Sequence, residues 1–240
     1  MKLKNEFWAF IPARSGSKAI LNKNIKKLNK LPLIAYSILA AKKNKNIKNI
    51  VFSSDSLDYY KIAKKYAPII FHRRSKRISG DNSGDFEVFK DFIDSRIRNN
   101  ETLPKYFVHL RPTTPLRKNI IINKAINFFE KNSHNYSALR SISKMSSTSY
   151  KTFRIKNKKL CSILEKDFNM DKYNKPRSNF EVTYEANGIV DIYKSENIIN
   201  GFLLGKKVVP FEVNFFNSDI DTYEDFEIVK QFIKTKKFKI

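Results

Sequence analysis

Between Ile11 and Ile25 the chain reads IPARSGSKAILNKNI, which interleaves Arg14, Lys18 and Lys23 with Ser15, Gly16, Ser17 and Asn24. Small residues let backbone N–H groups approach an anion closely, and three cations beside them can neutralise phosphate oxygens. The apolar run Phe7, Trp8, Ala9, Phe10 just before it predicts a strand that opens into this loop, an arrangement suited to nucleotide chemistry. Residue types alone serve an ordinary solvated loop equally well. Neither G-x-x-x-x-G-K-[ST] nor G-x-G-x-x-G occurs there, so the Walker-type and dinucleotide readings have no support.

Near the other end, Asp219 and Asp221 stand two residues apart, followed by Thr222 and a helical pattern from Tyr223. In extended backbone, residues i and i+2 point the same way, so both carboxylates can meet one hard cation. Mg²⁺ suits them, because it takes one or two carboxylates together with phosphates and water. The alternative is helix capping, with Thr222 as N-cap and Asp225 in capping-box position. That explains Thr222 better than it explains the aspartate pair. In HLRPTTPLR, His109–Arg117, two prolines bracket Thr113 and Thr114. This is a rigid turn, fit either to line a pocket or to stiffen a strand-to-helix connection. Arg111 within it can meet a carboxylate or phosphate in two-point geometry. Asp55, in VFSSDS, reads as the N-cap of a helix from Leu57 and is left out of catalysis.

The first segment resembles the N-terminal signature of the acylneuraminate cytidylyltransferases, the CMP-sialic acid synthetase family, roughly IPARxGSKxxxxKNI, including the spacing of both lysines. The other motifs are similar in turn: VFSSDS to V-S-T-D-S, Phe71–Asp85 to F-x-R-P-x-x-L-A-x-D, HLRPTTPLR to L-R-P-T-S-P-L-R, Pro176-Arg177 with Asn187-Gly188 to P-R…N-G, and Ser218–Thr222 to the D-I-D-T pattern. The resemblance implies a Rossmann-like nucleotide-diphospho-sugar transferase fold, α/β, with a mostly parallel sheet and a small dimerisation lobe over residues 143–187 of a single 1–240 domain. It implies transfer of CMP from CTP to the anomeric hydroxyl of a sialic-type sugar acid, with Mg²⁺ as cofactor and a homodimer as the working form. On this basis Arg14, Lys18 and Lys23 are catalytic candidates. Arg14, Ser15, Gly16, Lys18, Lys23, Asn24 and Arg74 are nucleotide candidates, with Arg73 as the rival of Arg74. Arg111, Thr113, Thr114, Arg177 and Asn187 are substrate candidates, Arg177 across the dimer, and Asp219 and Asp221 are metal candidates. Departures from the pattern are Ala19, Ser75, Asp85 where relatives carry serine, Ser178 and Glu185.

The elements that must position these residues follow from hydrophobic periodicity. Strands are expected at Phe7–Ile11, Ile50–Ser53, Ile69–Phe71, Tyr106–Leu110, Ser137–Ser141, Ile189–Tyr193 and Val208–Val213. Helices are expected at Leu33–Lys43, Leu57–Tyr66, Phe86–Ile97, Ile120–Glu130 and Tyr223–Ile233. Such alternation predicts a mostly parallel sheet covered on both faces, with ligands beyond the carboxyl ends of its strands. Ser143–Asn187 breaks the alternation, although Tyr150, Phe153, Ile155, Leu160 and Ile163 suggest short strands there.

Composition bounds the remaining choices. The 240 residues suffice for one large domain. There is no apolar run of about 18 residues and no leader-like apolar core with a cleavage site after MKLKNEFWAF, which predicts a cytoplasmic protein. The one cysteine, Cys161, excludes an internal disulfide, and His72, His109 and His134 are too scattered for a zinc site. A formal charge of +24 raises nucleic-acid binding, but the lysines are spread through the chain as a solvated surface. Two rivals to the cytidylyltransferase reading stay open: a nucleotidylyltransferase acting on another sugar or sugar phosphate, and a non-enzymatic basic protein that binds nucleic acid.

Overall fold

The computed structural model describes residues 3–164, 169–214, 219–235 and 238. Ser218 of the C-terminal motif and residues 165–168 of the proposed lobe lie outside them. The first half contains β1 (Leu3–Pro12), β2 (Lys27–Leu28), β3 (Leu31–Pro32), α1 (Leu33–Lys42), β4 (Ile47–Ser54), α2 (Leu57–Ala63), β5 (Ile70–Arg73), α3 (Asp85–Arg98) and β6 (Leu103–His109). The second contains α4 (Asn119–Asn132), β7 (Ala138–Lys144), β8 (Phe153–Lys156), β9 (Lys159–Ser162), α5 (Met170–Tyr173), β10 (Tyr184–Lys194), α6 (Ser195–Ile199), β11 (Val208–Glu212) and α7 (Tyr223–Thr235). Every strand and helix expected from periodicity is present.

Among the described residues, seven strands form one sheet in the order β11-β7-β10-β6-β1-β4-β5. β10 runs antiparallel to both of its neighbours, and the other pairings are parallel. Alternation along β1 shows why both faces are covered. Phe7, Ala9 and Ile11 enter one apolar cluster with α1, α2 and α4, while Trp8 and Phe10 enter another with α3 and α6.

A third cluster ties the two ends of the chain together. Ile20 of the first loop, Leu28, Leu33, Tyr36, Leu116, Ile220 and the α7 residues Phe226, Val229 and Ile233 pack against one another. Burying Ile220 completely contributes about 2 kcal/mol and draws the C-terminal segment onto the N-terminal loop. In the irregular interval, β8 and β9 form a hairpin whose turn residues Asn157 and Lys158 both have positive φ, as a two-residue hairpin turn requires. Among the described residues no helix is long and apolar enough to cross a membrane.

β10 is interrupted at Asn187-Gly188, where its register against β7 shifts. Gly188 sits at φ +65°, and a Cβ there would stand 2.8 Å from Thr114 Oγ1. Glycine is therefore needed twice over, by conformation and by space. Gly16 has nothing within 4 Å of where its Cβ would be. Gly188→Ala is expected to lower unfolding free energy by about 1–3 kcal/mol, with Gly16→Ala within about 0.5 kcal/mol of wild type. Equal denaturant midpoints for the two variants would contradict this account of Gly188.

Candidate functional site

A cleft opens at the carboxyl ends of the parallel strands, lined by Pro12, Arg14, Ser17, Lys23, Asn24, Arg74, Ser83, Gly84, Asp85, Val88, Arg111, Pro112 and Thr113. Lys23 defines one end. Its Nζ donates to Ile220 O at 2.7 Å and to Asp221 Oδ1 at 3.1 Å, and the side chain is only 12% exposed. The N-terminal loop and the C-terminal aspartate segment, 198 positions apart, are thus within hydrogen-bond reach. Asn24, buried, donates from Nδ2 to Arg14 O at 2.9 Å. That bond fixes the loop beneath Arg14.

The remaining loop residues divide by partner. Ser15 turns away from the cleft: its N–H and Oγ–H donate to the Asp55 carboxylate at 2.8 and 2.6 Å. Asp55 therefore anchors the loop to the end of β4, while the N-cap of α2 is Ser56, whose Oγ accepts from Tyr59 N. This corrects the capping role expected for Asp55: a carboxylate that meets two donors in the neighbouring loop gains more than it would from one helix N–H. Arg14 and the exposed Lys18 both pair with Asp81, at 2.8 and 2.5 Å. Lys18 and Arg14 in turn hold the Asp81 carboxyl below its usual range. The open surroundings of Gly16 leave its backbone free to approach an anion.

Of the two arginines on the β5 segment, Arg74 lines the cleft and Arg73 is exposed elsewhere. The Arg74 guanidinium is buried, and burial lowers its pKa to about 10. Its Nε donates to Ser53 Oγ at 2.8 Å, and its Nη2 has no hydrogen-bond partner among the described residues.

Arg111 differs from expectation. Its guanidinium lies between Asp85 and Asp191, at 2.9 and 3.0 Å, and Arg140 reaches Asp191 at 3.3 Å. Burial disfavours the Arg111 charge, but Tyr193, Asp191 and Asp85 more than reverse this and raise its pKa. The same contacts, with His109, hold the Asp85 and Asp191 carboxyls below their usual values despite burial. A two-point partner for a substrate acid is therefore already bracketed by two protein acids. Arg117, from the same motif, is fully buried and donates to the carbonyls of Ile189, Arg111 and Gly188 and to Ser37 Oγ. It fixes the turn that carries Arg111 against the bulge in β10. Its role was not visible in the sequence, because nothing there marks an arginine as buried.

Thr113 lines the cleft, and its carbonyl accepts from Ile220 N at 2.8 Å. Thr114 is buried against Gly188 with Oγ1 unpartnered among the described residues. Asn187 is committed to the bulge: its Oδ1 accepts from Ser141 Oγ at 2.6 Å and from Ile189 N at 3.2 Å, and its Nδ2 donates to Ser143 Oγ at 2.9 Å. Arg177 donates to the carbonyls of Ser146 and Met145, at 2.7 and 2.6 Å, and does not line the cleft within one chain.

The capping reading of the C-terminal motif is realised and leaves the carboxylates of the Asp219–Asp221 pair uncommitted to it. Asp225 Oδ2 accepts from the N–H groups of Thr222 and Asp221, and Thr222 Oγ1 accepts from Asp225 N, a reciprocal cap for α7. The carboxylates of Asp219 and Asp221 stay outside it, exposed, with Asp219 Oδ2 3.9 Å from the Cβ position of Gly188. No histidine lines the cleft: His72 and His109 are buried beneath it, where burial keeps both rings neutral, and His134 lines a different cavity.

Residues 8–239 match a family model described as Cytidylyltransferase. The chain is 30% identical over 240 residues to Post-translational flagellin modification protein B of Campylobacter coli, an alignment covering 98% of each. It is also 30% identical over 233 residues to CMP-N,N'-diacetyllegionaminic acid synthase of Campylobacter jejuni, covering 96% of each. Among solved structures, CMP:2-keto-3-deoxy-manno-octonic acid synthetase complexed with CTP superposes with a TM-score of 0.69 at 12% identity, over 96% of this chain and 99% of that one. At that identity the superposition speaks for the fold.

The Asp85–Arg111–Asp191 bracket has a pH signature. Because both carboxyls titrate below their unfolded values, the stability they contribute is present above about pH 4 and disappears as pH falls through the folded-state values. Asp191→Asn is expected to cost about 3 kcal/mol at neutral pH. It should lose less stability than wild type between about pH 5 and pH 3. Urea midpoints across that range check this, and acid limbs of equal steepness would contradict it.

Proposed function

The chain belongs to the cytidylyltransferase family, and within it we propose that the protein transfers CMP from CTP to the anomeric hydroxyl of a sialic-type, nonulosonic sugar acid. The observation that carries this reading is the meeting of the cationic loop with the aspartate segment at Lys23. It is supported by a relative over nearly the whole chain whose name describes synthesis of a CMP-linked sugar acid. In the reaction the anomeric oxygen attacks the α-phosphorus, the bond to the β-phosphate oxygen breaks, the hydroxyl proton leaves and pyrophosphate departs. A cluster of phosphate oxygens repels an oxygen nucleophile, so alignment and positive charge are what the protein has to supply.

Arg14, Lys18, Lys23 and the unpartnered Nη2 of Arg74 are the groups we assign to the triphosphate and ribose. Arg14 and Lys18 are available by exchange: the exposed Asp81 carboxylate that pairs with them can give way to a phosphate, which carries more charge on more oxygens. The donor set at the other end fits Mg²⁺, being two exposed carboxylates that flank a buried Ile220. Asp219 and Asp221 would hold the ion, which when bound neutralises phosphate charge and lowers the pKa of a coordinated hydroxyl or water. Lys23, already on Asp221, keeps that carboxylate turned toward the loop. With Arg111 bracketed by acids, we assign it to shaping the cleft floor and not to pairing with the sugar carboxylate.

The reading also carries a cytoplasmic homodimer. The hairpin lobe exposes Ile155, Leu160, Ile163 and Leu164, an apolar face suited to a second copy, which would bring Arg177 toward the partner's cleft.

The test is pyrophosphate release from purified protein with CTP, Mg²⁺ and a panel of nonulosonic acids, run beside sugar 1-phosphates with other nucleoside triphosphates. CTP-dependent turnover of a keto sugar acid is expected, and turnover confined to sugar phosphates would replace this reading with the sugar-phosphate one. Asp221→Asn should lower kcat/KM by at least about 100-fold, or roughly 2.7 kcal/mol of transition-state stabilisation. A change below about threefold in folded protein would remove the metal-ligand role.

A further inference from the structure

A chain of hydrogen bonds ends on Arg74 and begins on α3 at Asp91, which does not itself line the cleft. The parallel register of β4 and β5 sets Ser53 opposite His72, and Arg74 follows His72 by two positions, on the same face. α3 covers that face and contributes Asp91. Asp91 Oδ2 lies 2.9 Å from His72 Nε2, His72 Nδ1 lies 2.9 Å from Ser53 Oγ, and Arg74 Nε lies 2.8 Å from the same Oγ.

Burial favours the neutral form of the His72 ring, and in that form the chemistry of the partners sets the direction of each bond. An ionised carboxylate only accepts, so His72 Nε2 carries the proton and donates to Asp91. Nδ1 of the neutral ring is then an acceptor and takes the Ser53 hydroxyl proton. The Oγ lone pairs are thereby turned to receive Arg74 Nε–H, which only donates. The Arg74 N–H is also fixed, on Ser54 O at 3.0 Å. What remains free is the far end of the guanidinium, with Nη2 unpartnered on a side chain that lines the cleft and is only 8% exposed.

We propose that His72 and Asp91, neither of which lines the cleft, are positioning residues that set the plane of the Arg74 guanidinium for nucleotide binding through Ser53. The proposal rests on the CTP reading of the cleft. A histidine that only filled the core beside Phe92, with ring centroids 5.4 Å apart, would leave nucleotide affinity untouched when replaced by an aromatic ring of similar size. A positioning residue would not.

The experiment is calorimetric titration of CTP without sugar acid, together with KM and kcat for CTP, on wild type, His72→Phe, His72→Asn, Arg74→Ala and the His72→Phe/Arg74→Ala double variant. His72→Phe keeps the ring contacts but removes the acceptor. It is expected to weaken CTP binding about tenfold, seen in KM with kcat within about twofold. His72→Asn, whose amide oxygen can accept from Ser53, should recover most of that loss. In the Arg74→Ala background His72→Phe should add less than about twofold. CTP affinity unchanged in His72→Phe, or an equal loss with and without Arg74, overturns the proposal. Should His72→Phe fail to fold, Asp91→Asn at the partly exposed end of the chain takes its place, with a loss of about threefold that vanishes without Arg74. If wild type binds a different nucleotide in place of CTP, the functional reading fails. The same cycle run with that nucleotide still decides the role of His72.

Discussion

The site depends on holding the N-terminal loop and the segment before α7 together, because among the described residues no strand of the sheet joins them. Apolar packing and an ammonium contact both contribute. The apolar cluster of Ile20, Ile220, Phe226, Val229 and Ile233 supplies the attraction, and Lys23 supplies the register through Ile220 O and Asp221. An ammonium 12% exposed has given up much of its hydration, so its two oxygen partners matter more than those of a surface lysine would. Both contacts join residues almost 200 positions apart in sequence.

Arg14, Lys18, Arg111 and Arg140 have carboxylate partners of two kinds. Asp191 is buried and holds Arg111 and Arg140 together with Tyr193. Breaking that set would strand charge in the interior, so it behaves as framework. Asp81 is exposed and lies on the loop before α3, where water screens its pairing with Arg14 and Lys18. In the proposed site, exchangeable pairs thus stand at the end assigned to phosphate and permanent ones beneath. Asp85 stands between the two classes, half-exposed and held by Arg111.

Much of this was legible in the sequence for identifiable reasons. An unbroken apolar run at Phe7–Ile11 and amphipathic spacing in Phe86–Ile97 gave the layers, since burial on two faces leaves the first pattern and burial on one face the second. The loop cations and the aspartate pair stood out as charges with fixed spacing. Residue type does not say whom a side chain meets, which is why the carboxylate partners of Arg111 and the serine partners of Asn187 were not legible. The sequence also misassigned Asp55 and gave no sign of Arg117 or of the Asp91–His72–Ser53 chain. These are matters of register and burial, set when β4 lies beside β5 and the turn before α4 lies against β10. Asn187 and Gly188, singled out as a pair, build a bulge.

The central claim is that one nucleotide is shared by two distant segments, and hydrogen exchange with and without CTP and Mg²⁺ tests it most directly. Slowed exchange at amides of both the Arg14–Asn24 loop and the Ile220–Thr222 segment, in the same titration and with the same midpoint, is the predicted result. Protection confined to one of the two segments would contradict it.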